Sequence, residues 1–484
     1  MTGYYAHLER ADARPPAPRP SVNAGMLVGA VVLSLVGGFA VGSGFGLAAI
    51  GLAALPLALF VLPRLSRAAG LAAGYFAIEV PLALLLLSTL VFRIRDAESL
   101  ADNPLDSAAL YRLACVGGAA LLGCLTLLRT PIRAERVATP PAVLFYAGYV
   151  AVVFLGAPLS LNLQLTAYRG VELAVGLLVI VAAVSYAGRE AVARLERGLF
   201  LFLVLLVLSV WIGVVVFPGQ AIGWGNSPIP FQIQGVLPVV SSNGVGETGA
   251  LLLLWSLAAR VSGRSGGVWN VTVMALGAVT LVAGQYRTGY FALAVALMLL
   301  LVTRGRRLLA LLAALAVVAT LAWSASSITR AAEPYLLRGQ TREQAAELSG
   351  RVRLWENSIP VWRESPLLGK GLLTATRFEV LARLGYGTVS TIHGTWVEAL
   401  VGTGIAGVSL LVLFLVSLWR SALRDLLSRQ GLVYPAMILA FISVRSITGP
   451  SFEVFGVSML LLLVLAYRLA LTGGRRGMRH VANA

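Results

Sequence analysis

The feature that most restricts this chain is a succession of apolar runs, each long enough to cross a bilayer. Runs of about 17 to 25 residues begin near residues 25, 44, 68, 109, 141, 171, 198, 248, 267, 289, 307, 395, 432 and 454. A soluble core cannot bury so much apolar surface: 58% of the 484 residues are hydrophobic and 12% charged, and the mean hydropathy is +0.85. Helices in lipid can, because their backbone groups are satisfied within each segment. The expected fold class is all-α, a polytopic membrane helical bundle of about 12 to 14 transmembrane helices.

In a soluble protein the net charge of +17 would raise nucleic acid as a partner. Its placement points elsewhere. Lys370 is the only lysine, and arginines gather in alternate connections: Arg64 with Arg67, then RTPIRAER, GREAVARLERG, RVSGRSGG, RGRR and RSALRDLLSR, closing with GGRRGMRH. That alternation follows the positive-inside rule. It puts both termini in the cytoplasm and the other connections on the extracytoplasmic side of the cytoplasmic (inner) membrane, with lipid as the surrounding partner and no nucleic acid. The polar, proline-rich start lacks the basic-then-apolar order of a cleavable signal. The chain therefore divides into a disordered cytoplasmic tail at 1–24, bundle at 25–325, a large extracytoplasmic loop at 326–392, bundle at 393–472 and a cytoplasmic tail at 473–484.

Cys115 and Cys124 fall in one apolar run, roughly 13 Å apart along a helix axis, too far to bridge. His7, His393 and His480 are scattered, so no metal cluster and no cofactor is expected.

The 326–392 loop is too long and too charged for a plain connector. It sets arginines and Lys370 against Glu333, Glu343, Glu347, Glu356, Glu364 and Glu379. Within it REQAAELSGRVRLWENSIPVWRESP has apolar residues near helical spacing, and SPLLGKGL then stops the helix. An extramembrane helix is expected at the outer interface, with its apolar side, Trp355 and Trp362 against lipid or protein.

Four outward arginines stand at helix ends: Arg112, Arg169, Arg287 and Arg445. Snorkelling to the interface accounts for each taken singly. Arg445 follows the apolar MILAFISV and is costly there unless paired or facing water. Arg287 occupies the polar break GQYRTGY, on the side where positive charge is disfavoured. His393 lies where the large loop re-enters the membrane, in STIHGTWVEALVGTGIAGVSLL, and a histidine there can act as a base near neutral pH. Glu398 either orients that ring or the acceptor, or neutralises an arginine. Glu79, beside Pro81 in an apolar run, is the one residue that favours the alternative of a glycan transporter or flippase.

SGRVRLWENSIPVWRESPLLGKGL followed by IHGTWVEALVGTGIAGVSLLVLFL resembles the O-antigen ligase and Wzy-type O-antigen polymerase superfamily. APLSLNLQLTAYRGVEL, VVSSNGVGETGALL and GQYRTGYFALAV resemble the upstream pieces of the same family, in order. The resemblance implies a metal-independent membrane glycosyltransferase of GT-C-like architecture acting in cell-envelope polysaccharide assembly. Its donor would be a glycan on undecaprenyl pyrophosphate and its acceptor a glycan or lipid, with contact to other polysaccharide-assembly proteins. Carried over by matching positions, His393 and Arg287 would be catalytic, with Arg351, Arg353 and Arg169 on the pyrophosphate. Arg112 and Arg445 join that set from their sidedness. Family members commonly have asparagine after the histidine, where this chain has Gly394.

Overall fold

The computed structural model describes residues 74–92, 106–130, 138–224, 230–262, 267–303, 305, 351–384, 392–426 and 433–482, with backbone alone over 473–482. The amino-terminal tail, the runs expected from residues 25, 44 and 307, and the large loop up to residue 350 lie outside the described residues.

The fold is all-α, a polytopic membrane bundle. In chain order its helices are α1 (Glu79–Ser88), α2 (Ser107–Arg129), α3 (Pro141–Gly156), α4 (Leu163–Val216), α5 (Ser242–Val261), α6 (Val268–Gly284), α7 (Arg287–Thr303), α8 (Arg351–Glu364), α9 (Thr395–Leu426), α10 (Val433–Thr448) and α11 (Val457–Ala482). Among the described residues four helices are long and apolar enough to cross a membrane, α2, α3 with its 3-10 extension to Leu159, α4 and α9, and shorter apolar helices accompany them.

Local chemistry explains where these helices start. The Asp106 carboxylate accepts from the Ala109 amide at 2.8 Å, and Asn162 Oδ1 accepts from Leu165 at 2.9 Å, each satisfying an amide that the first helical turn leaves unpaired. α5 begins ahead of its apolar run because the Ser241 side chain caps it, which makes the polar SNGVGE its first turns. A continuous α4 would measure about 81 Å, far more than the ~30 Å hydrocarbon core. Gly188 resolves this with φ 53° and ψ −121°, splitting α4 into two apolar segments at the basic stretch GREAVARLERG.

The packing is dense at the centre. From Met459 to Tyr467, α11 is buried on every side, and Tyr146, Phe414 and Phe452 meet as an aromatic group beside it. A helix apolar all round is satisfied only inside a bundle. α5 and α6 approach backbone to backbone, since a Cβ on Gly249 would lie 2.7 Å from the Leu281 nitrogen and one on Gly277 2.8 Å from the Leu253 nitrogen. Such contacts let van der Waals packing hold helices together where lipid removes the hydrophobic drive.

Between α4 and α5 the uncharged connection folds into two small antiparallel hairpins. One pairs Ile222–Trp224 with Phe231–Ile233, the other Gly235–Val236 with Val239–Val240. The helix α11 runs on through the basic GGRRGMRH to Ala482, the stretch expected as a tail.

Candidate functional site

The site is built around a break in α9. Gly404, at φ 63° and ψ −166°, interrupts the helix, and the SPLLGKGL strap lies against the opening. Lys370 N donates to Val401 O at 2.9 Å and Gly371 N to Gly402 O at 3.0 Å. Ile405 N donates to Pro366 O at 2.9 Å and Ala406 N to Leu367 O at 3.1 Å. Backbone groups freed by the break are thus paired inside protein, a setting in which irregular backbone is tolerated at depth. The strap also reaches the start of α4, where Thr374 Oγ1 and Thr166 Oγ1 lie 2.7 Å apart. Part of the expected loop is therefore bundle.

α8 docks on this strap through its apolar side. Leu354 and Val361 are buried with Ala375, Val380, Leu381, Ile392 and Val401, and Trp355 and Trp362 pack at the edge. Protein, rather than lipid, covers these two apolar residues. The Trp355 indole donates to Ile392 O at 3.0 Å, which ties α8 to the turn that carries His393.

His393 is half-buried and has φ 52°, a left-handed conformation that costs a non-glycine residue energy and persists where the surroundings enforce it. On its two sides the backbone is held by Trp355 and by Thr395 Oγ1, which donates to Gly449 O at 3.0 Å. Burial, and then the positive charge of Arg351, hold its imidazole below the ordinary range. Both effects favour the neutral ring, the form that accepts a proton. Gly394 has a steric reason: a Cβ there would stand 3.3 Å from Trp355 Nε1 and 3.4 Å from Ile447 O.

Arg351 opens α8, half-buried. Burial disfavours its charge, while Tyr286 supports it, and among the described residues no carboxylate pairs with it. Tyr286 is the residue of the GQYRTGY turn that joins this group. Burial pushes its hydroxyl up to about 12, with Arg445 and Arg351 opposing and Glu247 reinforcing. Arg287 is the next residue and heads α7, which is tied to α10 by Thr288 and Thr448 at 3.0 Å.

Arg445 is ion-paired with Glu247 at 2.6 Å through Nη2. Through Nη1 it donates to Pro450 O and to Ser451 Oγ. The expense of an arginine at that depth is met by a carboxylate, a loop carbonyl and a loop hydroxyl. The same loop is pinned by Tyr146, which donates to Phe452 O, and Tyr149, which donates to Glu453 O, both at 2.7 Å.

The remaining sequence candidates fall elsewhere. Arg353 is exposed; two residues along a helix turn it about 200° from Arg351, so the two cannot share a face. Arg112 and Arg169 meet on one fully buried carboxylate, Glu172, with Arg169 at 2.8 Å, and form a second cluster. Glu398 accepts from Thr376 Oγ1 at 2.7 Å and from Leu373 N at 3.2 Å, so it anchors the strap and not the His393 ring. Glu79 is paired with Arg194, whose Nε donates to it at 2.5 Å, which gives the glutamate a structural partner.

Sequence reasoning missed Glu247, Tyr286, Glu172 and Glu453. A signal existed for the glutamates: each is an ionisable residue close to or within an apolar run, where such residues are expensive and need a named partner. Tyr286 carried none, since a tyrosine beside an arginine in a turn is unremarkable.

An integral membrane protein with a histidine, unpaired and paired arginines and a buried strap at one broken helix defines the class. Residues 272–412 match the O-antigen ligase family model, so that segment is similar to members of that family. The match spans α6 to α9, including Arg287, Arg351, His393 and Glu398; Arg112, Arg169, Glu247 and Arg445 lie outside it. No curated protein matches the chain. The family supports a membrane enzyme of surface-polysaccharide assembly, working on lipid-linked glycans.

Proposed function

We propose that this protein is a glycosyltransferase that moves a glycan from undecaprenyl pyrophosphate onto a glycan or lipid acceptor at the outer face of the cytoplasmic membrane. The observation that carries the reading is a half-buried His393 within electrostatic reach of a half-buried Arg351 that has no carboxylate partner among the described residues. An arginine in that state suits a phosphate, because its planar fork bonds two oxygens and stays charged when partly buried.

In the proposed step the acceptor hydroxyl attacks the anomeric carbon and its proton passes to His393. The bond from that carbon to the pyrophosphate oxygen breaks, and the charge on the leaving group grows against Arg351, with Arg287 and Arg445 as the further cations of the set. Stabilising that charge supplies much of the catalysis. A positioned base adds roughly a hundredfold to ten-thousandfold. Arg112 and Arg169, shared by Glu172, are a secondary pyrophosphate contact in this scheme.

The test substitutes His393→Ala and Arg351→Gln separately, with membrane insertion verified, and follows surface glycan together with its lipid-linked precursors. Loss of surface glycan with accumulation of lipid-linked single repeats supports polymerisation. Accumulation of finished lipid-linked polymer supports ligation. Undiminished surface glycan from both variants would overturn the assignment.

A further inference from the structure

Arg445 and Glu247 form an ion pair whose two halves are held unequally. The guanidinium is fixed from its other side: Nη1 donates to Pro450 O and to Ser451 Oγ, on a loop itself pinned by Tyr146 and Tyr149. Glu247 has less to hold it. Apart from Arg445 at 2.6 Å, it accepts from Ser458 Oγ at 3.3 Å, a long bond by hydrogen-bond standards. Both side chains keep some exposure, 12% for Arg445 and 15% for Glu247, and Tyr286 brings them into the same group as Arg351.

This asymmetry matters because Arg445 as it stands is neutralised. With Nη1 committed to the loop, the edge left for a phosphate is the one carrying Nη2 and the unpartnered Nε, and Glu247 already stands on Nη2. A carboxylate left beside an incoming polyanion would repel it, and like charges juxtaposed in such a site are costly.

We infer that Glu247 occupies the seat on Arg445 that a phosphate oxygen of the donor takes, so that donor binding displaces a resident carboxylate. Resting on the proposed pyrophosphate donor, the inference goes on to assign a residue that tunes its affinity. Glu247 keeps Arg445 aimed and charge-compensated while the site is empty, at the cost of weaker anion binding. It acts through Arg445 and is a positioning residue.

The experiment measures binding of inorganic pyrophosphate to the full chain in detergent by calorimetry, at fixed low ionic strength with divalent cations chelated. The proteins are the wild type, Glu247→Gln, Glu247→Asp and Arg351→Gln. Glutamine is close to isosteric and removes the competing charge, so the expected result is binding at least about tenfold tighter than wild type. Aspartate keeps the charge and should remain near wild type, which separates competition from general damage. Glu247→Gln binding no tighter than wild type, while Arg351→Gln still weakens it, overturns the displacement and leaves the pyrophosphate site standing. Binding absent in all four proteins overturns both.

Discussion

Gly404→Ala should loosen the strap on which the site is built. At φ 63° and ψ −166° the residue lies in a region open essentially to glycine alone, and a side chain there costs about 1–3 kcal/mol. The added Cβ would also overlap the Leu367 carbonyl, closer than real Cβ contacts come. Because that neighbour is backbone, relief requires moving Pro366–Leu368. Such a shift breaks the bonds from Ile405 N to Pro366 O and from Ala406 N to Leu367 O, worth about 0.5–1.5 kcal/mol each. The combined destabilisation is about 2–6 kcal/mol. The assay heats the full chain in detergent and measures the monodisperse fraction by size exclusion, with Gly117→Ala as the control. Gly117 sits in α2, where an added Cβ would meet nothing within 4 Å, and there alanine should be neutral or stabilising. Gly404→Ala should lose at least about 3 °C against that control. Equal midpoints for the two variants would refute the account of the break.

Glu172→Ala leaves Arg112 and Arg169 crowded together without their buried carboxylate, an expected loss of about 3–5 kcal/mol; Glu172→Ala with Arg112→Ala should recover part of it in the same thermal assay. Glu398→Gln retains an acceptor for Thr376 and Leu373 and should behave like wild type, whereas Glu398→Ala strands both donors at about 1–3 kcal/mol. Burial and the Arg351 charge both depress the His393 pKa, so the base stays unprotonated, and active, to lower pH than an ordinary imidazole. The acid limb of the pH–rate profile should accordingly lie below the ordinary range, and Arg351→Gln, by removing one of the two causes, should move it to higher pH. An unmoved limb would show that His393 is not the titrating base.

The position of His393 was legible because it is a local signal, a lone histidine just ahead of an apolar run. The starts of α2, α3, α6 and α10 were legible for the same reason. The paired state of the ionisable groups was not. Arg112 and Arg169 read as two independent cations, and their common tie to Glu172 joins α2 to α4. Arg351 and Arg353 read as one motif, and helical rotation separates them. Glu398, five positions after His393, read either as orienting that ring or the acceptor or as neutralising an arginine, and in the fold it accepts from Thr376 and Leu373.

By itself the sequence determined an all-helical membrane protein, because apolar run length and the need to satisfy every backbone group in lipid leave few other solutions. It also marked out the segment from Ser326 to His393, with helix-end arginines around it, as the place where charge, turn residues and histidine gather. Only the tertiary structure decided which arginine meets a carboxylate among the described residues and which does not. That distinction depends on carboxylates brought from distant helices, Glu247 to Arg445 and Glu172 to Arg112. Electrostatic partnership is set by distance in space, and nothing in the linear order of residues encodes it.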